Sequence, residues 1–283
     1  MLVTENLKKT YPSFHMDVSL KAEKGRITGL IGQNGAGKTT LFKAVLGLIH
    51  TDGGKAELSG RDIRDLSAED KQNIGAVMAE SGFSGYLTVG DVCPILKAFY
   101  RSFDEPLFYA YCARLGLDEN KKIRELSSGM KAKLKIAAAL THHADFLVLD
   151  EPTSGLDVIA RDEVLTMLRE YMAEKEDRSI LISSHISNDL ESLCDDFYMI
   201  HEGKIILHED TDRLTGSYAL IKADPKSYED LDKTYILRVR KEPYGYVCLT
   251  DQREFYRENY PDLVIERAGM DELIHLMIKG EKG

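Results

Sequence analysis

The stretch GQNGAGKTT, residues 32–40, fits the spacing G-x-x-x-x-G-K-[ST]. Small residues at Gly32, Gly35, Ala36 and Gly37 let backbone N–H groups wrap phosphate oxygens, with Gln33 and Asn34 completing the turn. Lys38 then reaches the outer phosphates, and Thr39, followed by Thr40, can hold magnesium. A second chemical group closes the apolar run FLVLDE (146–151), which delivers Asp150 and Glu151 to the end of a strand. Asp150 would hold Mg²⁺ through water, and Glu151 would polarise an attacking water. Together they imply binding and hydrolysis of a nucleoside triphosphate. A third stretch, ELSSGMKAKLKIAAAL (125–140), sets two serines and a glycine at the mouth of a lysine-studded helix. That is a second anion site, and the first looks complete without it.

Two residues are ambiguous by type. His185 ends a strand, where a histidine serves as a polar cap or as a catalyst. Tyr11, in KKTYPSF, either stacks on an adenine face or packs within a hairpin.

The elements that must position these groups follow from periodicity. ITGLI (27–31) reads as a strand and 38–48 as a helix, with Leu41, Val45 and Leu48 on its buried face. FLVLDEP and SILISSH (179–185) are short apolar runs of the buried-parallel-strand kind. The helix between them carries Val158, Val164, Leu165, Leu168 and Met172 near helical spacing. Alternating strands and helices predict an α/β fold with a mostly parallel sheet. Residues 83–140 read as a helical insertion, with stripes Val89, Val92, Leu96, Phe99, Tyr100 and Phe108, Tyr111, Cys112, Leu115. FYMIHEGKIILHED predicts a hairpin turning at Glu202-Gly203, closing the main domain near residue 215. The tail, 216–283, predicts a small α+β unit on which the apolar side of MDELIHLMIKG (Leu273, Ile274, Met277) packs.

The 283 residues are 43% hydrophobic, enough for a real core, and the net charge of −10 argues against a broad grip on nucleic acid or an anionic membrane. Cys93, Cys112, Cys194 and Cys248 form no CxxC pair and read as reduced, half-buried thiols. The N-terminus has no signal-peptide stretch, and no run approaches the ~18 apolar residues of a membrane span. If the protein serves a membrane, another chain must cross it.

Read together, Tyr11, GQNGAGKTT, LSSGM, FLVLDEP, SGLD (154–157) and His185 resemble the ATPase subunit of ATP-binding cassette (ABC) transporters in order and spacing, over about residues 1–215. The resemblance implies a P-loop NTPase (RecA-like) core with a mostly parallel sheet, an antiparallel β subdomain and a helical subdomain at about 83–140. It implies ATP and Mg²⁺ as ligands, Tyr11 against adenine, and His185 as a switch beside Glu151. It further implies a dimer, with itself or with a sister subunit, sandwiching two ATPs head to tail. Ser127 and Gly129 would then face the γ-phosphate on the other subunit's phosphate loop, with Asp157 across the same interface. Within the family the chain looks most like single-domain subunits of bacterial exporters, given its short form and LTVGDV before a helical stripe. That implies a separate membrane permease and a cytoplasmic location at the membrane's inner face. The alternative is a non-transport ABC ATPase acting on nucleic acid or ribosomes, expected to carry two cassettes or a basic coiled-coil insertion.

Two departures stand out. After NIGAVM the family's glutamine is replaced by Ala79, followed by Glu80, which can stand in as an oxygen ligand near the metal, or the contact is simply missing. Met130 replaces the last glutamine of the signature, an apolar side chain for a polar contact.

Overall fold

The computed structural model describes residues 1–282. β1 (Leu2–Tyr11) and β2 (Phe14–Ala22) form a hairpin, followed by β3 (Ile27–Ile31) and α1 (Lys38–Val45). β4 (Gly53–Leu58), β5 (Arg61–Asp62) and the one-turn α2 (Ala68–Lys71) lead to β6 (Ile74–Val77). Three helices follow, α3 (Val89–Phe99), α4 (Glu105–Arg114) and α5 (Ser128–Leu140). The chain then runs through β7 (Phe146–Asp150), α6 (Val158–Ala173), β8 (Ser179–Ser184), α7 (Ser187–Leu193), β9 (Asp196–His201) and β10 (Lys204–Asp210). After α8 (Thr211–Ser217) come β11 (Ala219–Ala223), α9 (Pro225–Asp230), β12 (Ile236–Glu242) and β13 (Gly245–Thr250). α10 (Arg253–Asn259), β14 (Val264–Arg267), α11 (Met270–Lys279) and β15 (Glu281–Lys282) complete it.

A ten-stranded sheet runs β5-β4-β1-β2-β10-β9-β3-β8-β7-β6. Its half β9-β3-β8-β7-β6 is parallel, and β3, β7 and β8 are buried at every position because helices cover both faces. The antiparallel strands are not a separate sheet: β10 pairs with β9 on one side and with β2 on the other, so one ladder runs across both halves. The β9–β10 hairpin turns at Glu202 and Gly203, both with positive φ (46° and 76°). A side chain at Gly203 would collide with the His15 carbonyl, so only glycine fits.

Several expected faces differ. α1 stops at Val45 because Gly47 adopts φ 68°, which leaves Leu48 62% exposed. Phe99 closes α3 facing solvent, and Val158 opens α6 in the same way.

The largest difference lies in the tail. Its sheet, β14-β11-β13-β12-β15, keeps a small core around Ile221, Cys248 and Tyr256. The apolar side of α11 does not join that core. Leu273 and Leu276 are fully buried in the main cluster with Leu190, Leu193 and Phe197, and Ile274 and Met277 pack against the same cluster. Polar contacts fix the docking: Glu191 accepts from the Met270 N–H (2.6 Å), and Ser187 Oγ donates to Asp271. The same cluster also holds Leu220 and Leu249 of the tail's own sheet, so α11 packs on its small domain as expected and, beyond that expectation, on α7 of the main domain.

Candidate functional site

The chemistry-bearing groups converge on the C-terminal edge of the parallel strands, where open α/β sheets bind ligands. β3 runs into Gly32, β7 into Asp150 and Glu151, β8 into Ser184 and His185, and β6 into Met78 and Ala79. The register pairs Asp150 with Ser183, so neighbouring strands deliver their polar ends side by side.

A cavity of about 1240 Å³ opens there. Gln33, Asn34, Gly35, Gly37, Lys38, Thr39 and Thr40 line it, as do Tyr11, Glu151 and His185. Within the loop, a side chain on Gly32 would collide with the Ile200 carbonyl, and one on Gly37 would press into the Phe14 ring at 2.8 Å. The cradle therefore requires glycine at both places. Gly37, at φ 114°, opens α1 with no side-chain cap and no acidic residue in the first turn, so its N–H groups face outward for an anion. Lys38 is 7% exposed and its Nζ donates to the Gly32 carbonyl at 2.7 Å, stitching the loop closed.

Asp150 is buried and both its oxygens are occupied. Oδ2 accepts from Thr39 Oγ1 (2.8 Å) and Oδ1 from Ser183 Oγ (2.7 Å). Glu151 holds a strained backbone, φ 52°, a cost that concentrates at functional sites. Two things fix it there. Its N–H donates to Ser183 Oγ at 3.1 Å, and Glu151 Oε2 accepts from both the backbone N–H (3.1 Å) and the imidazole Nδ1 of His185. Glu151 Oε1 lies 3.5 Å from Lys38 Nζ. Asp150, Glu151, His185, Lys38 and Thr39 are thus one connected group.

Oxygen donors at Thr39 and Asp150 suit a hard divalent cation that keeps waters in its shell. Glu80 is not brought to that pair. Its side chain is 77% exposed, accepts from Lys43 Nζ at 2.8 Å, and lies outside the cavity lining.

The LSSGM segment folds as read. Ser127 Oγ caps α5 by accepting from the Met130 N–H at 3.2 Å. Gly129 packs on the 154–157 loop so closely that a side chain would meet the Gly155 carbonyl at 3.0 Å. Asp157 caps α6 through the Ala160 N–H (2.8 Å) and, like Ser127 and Gly129, does not line the cavity. Sequence reasoning missed Ser183, which links Asp150 to Glu151 and is legible only through strand register. It also missed Lys135, whose Nζ donates to the carbonyls of Met78 (3.0 Å) and Ala79 (3.3 Å). Burial lowers its pKa, partly opposed by Asp150.

A phosphate loop at the sheet's carboxyl edge, with an acidic pair behind it, defines a nucleotide-binding P-loop protein. The ABC transporter family profile matches residues 15–154. The ABC transporter ATP-binding protein YtrB of Bacillus subtilis is 34% identical over 73% of this chain and 70% of its own length. The lantibiotic transport ATP-binding protein SrtF of Streptococcus pyogenes is 33% identical over 75% of this chain and 92% of its own. A solved dimeric ATP-binding cassette in a post-hydrolysis state, bound to ADP and Pi, shares the fold at TM-score 0.67 and 20% identity, covering 75% of this chain and 99% of that one. The chain belongs to the ATP-binding subunits of ABC transporters and is an ATPase of that family. No helix among the described residues is long and apolar enough to cross a membrane.

Proposed function

We propose that the chain powers an exporter by hydrolysing ATP between two ATPase subunits, coupled at the cytoplasmic face of a membrane to a separate permease. The observation that carries the hydrolytic part is the group Lys38, Asp150, Glu151 and His185 at one cavity edge. Exporter function draws support from the lantibiotic transport relative, and pairing from the dimeric cassette that shares the fold.

In this reading the phosphate loop cradles the phosphates with its N–H groups, Lys38 turns from the Gly32 carbonyl to the outer phosphates, and Tyr11 lies against the base. Thr39 and Asp150 hold Mg²⁺, which supplies neutralisation of the outer-phosphate charge. Glu151 Oε1 takes the proton of the attacking water, while His185 fixes the carboxylate through Oε2. Ser127 and Gly129 do not line their own chain's cavity. They serve the site of a second subunit, with Gly129 seated on Gly155 and Leu156, and with Asp157 lying across the same interface. The chain's negative charge favours this over an action on nucleic acid.

Glu151→Gln tests the assignment. It keeps ATP affinity, lowers turnover by about two orders of magnitude or more, and accumulates an ATP-bound dimer on size exclusion. Wild-type turnover in this variant removes Glu151 from the mechanism.

A further inference from the structure

The cavity has cationic side chains that the mechanism above does not use. Arg124, Lys131 and Lys135, from the helical segment of the same chain, line it together with the phosphate loop. In a chain of net charge −10, none of the three pairs with a carboxylate among the described residues. Arg124 instead lies 5.9 Å over the Tyr86 ring, which leaves its guanidinium fork free to bond. Lys131 and Lys135 are four residues apart on α5 and so share one helical face. Lys135 is half-buried and rigidly placed: two of its three N–H donors go to the Met78 and Ala79 carbonyls, and the third is uncommitted.

A structural strut between α5 and the end of β6 accounts for the two carbonyl bonds of Lys135. It does not account for two further unpaired cations on the same cavity wall. The one carboxylate lining the cavity, Glu151, is held by His185 and Lys38, so these three cations are left to be matched by a bound anion, and the anion this cavity handles is phosphate.

We propose that Arg124, Lys131 and Lys135 form a second phosphate subsite in the cavity, contributed in cis by the chain whose loop binds the nucleotide. It takes a phosphate oxyanion, either the outer phosphate of the bound nucleotide or the inorganic phosphate released from it. The inference rests on the nucleotide reading of the phosphate loop.

The test uses the purified full chain with Lys131→Met, Lys135→Met and the pair, apolar replacements that keep the stems' packing. ATP affinity is measured with Glu151→Gln present to stop turnover, ADP affinity alongside it, and inhibition of ATP turnover by inorganic phosphate with Glu151 intact. If the nucleotide's outer phosphate is the occupant, ATP affinity falls about tenfold in the double variant and ADP affinity less than twofold. If released phosphate is the occupant, its inhibition constant rises by a similar factor while ATP affinity holds. Lys135→Arg restores whichever value fell. Equal losses for ATP and ADP, as a strut alone would give, overturn the subsite, and so does no change in any of the three constants. Lys38→Ala separates the two readings. If it weakens nucleotide binding while the double variant is silent, only the subsite fails. If it too is silent, the nucleotide reading fails and takes the subsite with it.

Discussion

Leu273→Ala removes a fully buried side chain from the seam between α11 and the main core. Leucine-to-alanine truncations at such sites cost about 2–5 kcal/mol, transfer and cavity terms together, and ~3 kcal/mol is expected for this helix, which is held by Glu191 and Ser187 as well. At roughly 2–4 °C per kcal/mol for a domain of this size, the midpoint falls by about 6–12 °C. The cysteines provide the assay. Cys194 belongs to the main cluster and Cys248 to the tail's small core. Burial pushes the Cys248 thiol up to about 11 and the Cys194 thiol well above its ordinary value, so both are covered and protonated in the native state. Thiol labelling during a temperature ramp, read by mass spectrometry, should show both becoming reactive in one transition, shifted down together in the variant. If Cys248 reacts while Cys194 stays protected and the Cys194 midpoint is unmoved, the tail is an independent unit and the shared core is refuted.

Gly32→Ala should abolish ATP binding in a chain that still folds elsewhere, because the added methyl meets the Ile200 carbonyl rather than a movable side chain; retained affinity by calorimetry argues against a rigid cradle. Ser183→Ala leaves Asp150 Oδ1 without its donor at a site worth about 1–3 kcal/mol, so turnover should fall roughly tenfold or more with ATP affinity kept. Asp62, held down to about 2 by hydrogen bonds from the Arg64 side chain and backbone, contributes stability that is present above pH ~4 and lost as pH falls through about 2. Asp62→Asn should flatten that acid limb of a urea-stability profile by less than about 1 kcal/mol, since the Arg64 side of the pair is largely solvated.

The phosphate loop was legible because its chemistry is local: the glycines, Lys38 and Thr39 are contiguous, and the strand before and helix after follow from apolar spacing. Asp150, Glu151 and His185 were legible as strand ends. Ser183 was not, since its role depends on which residue of β7 it faces, and register is a property of two strands. Lys135 reads as one more helix lysine until α5 is laid beside the end of β6. The amphipathic pattern of α11 announced a buried face but not that it would be shared between the tail's own sheet and α7, which is distant in sequence. Glu80 illustrates the converse: a suitable ligand by type, directed instead to Lys43.

On the proposed reading, the signature segment completes a site on another chain. ATP turnover per chain, measured on the purified protein from dilute to concentrated solution, tests it most directly. Turnover should rise with protein concentration to a plateau, and Ser127→Arg should remove the rise while leaving nucleotide binding by the dilute chain nearly intact. Turnover per chain that is constant across the range, and equal in the variant, would contradict it.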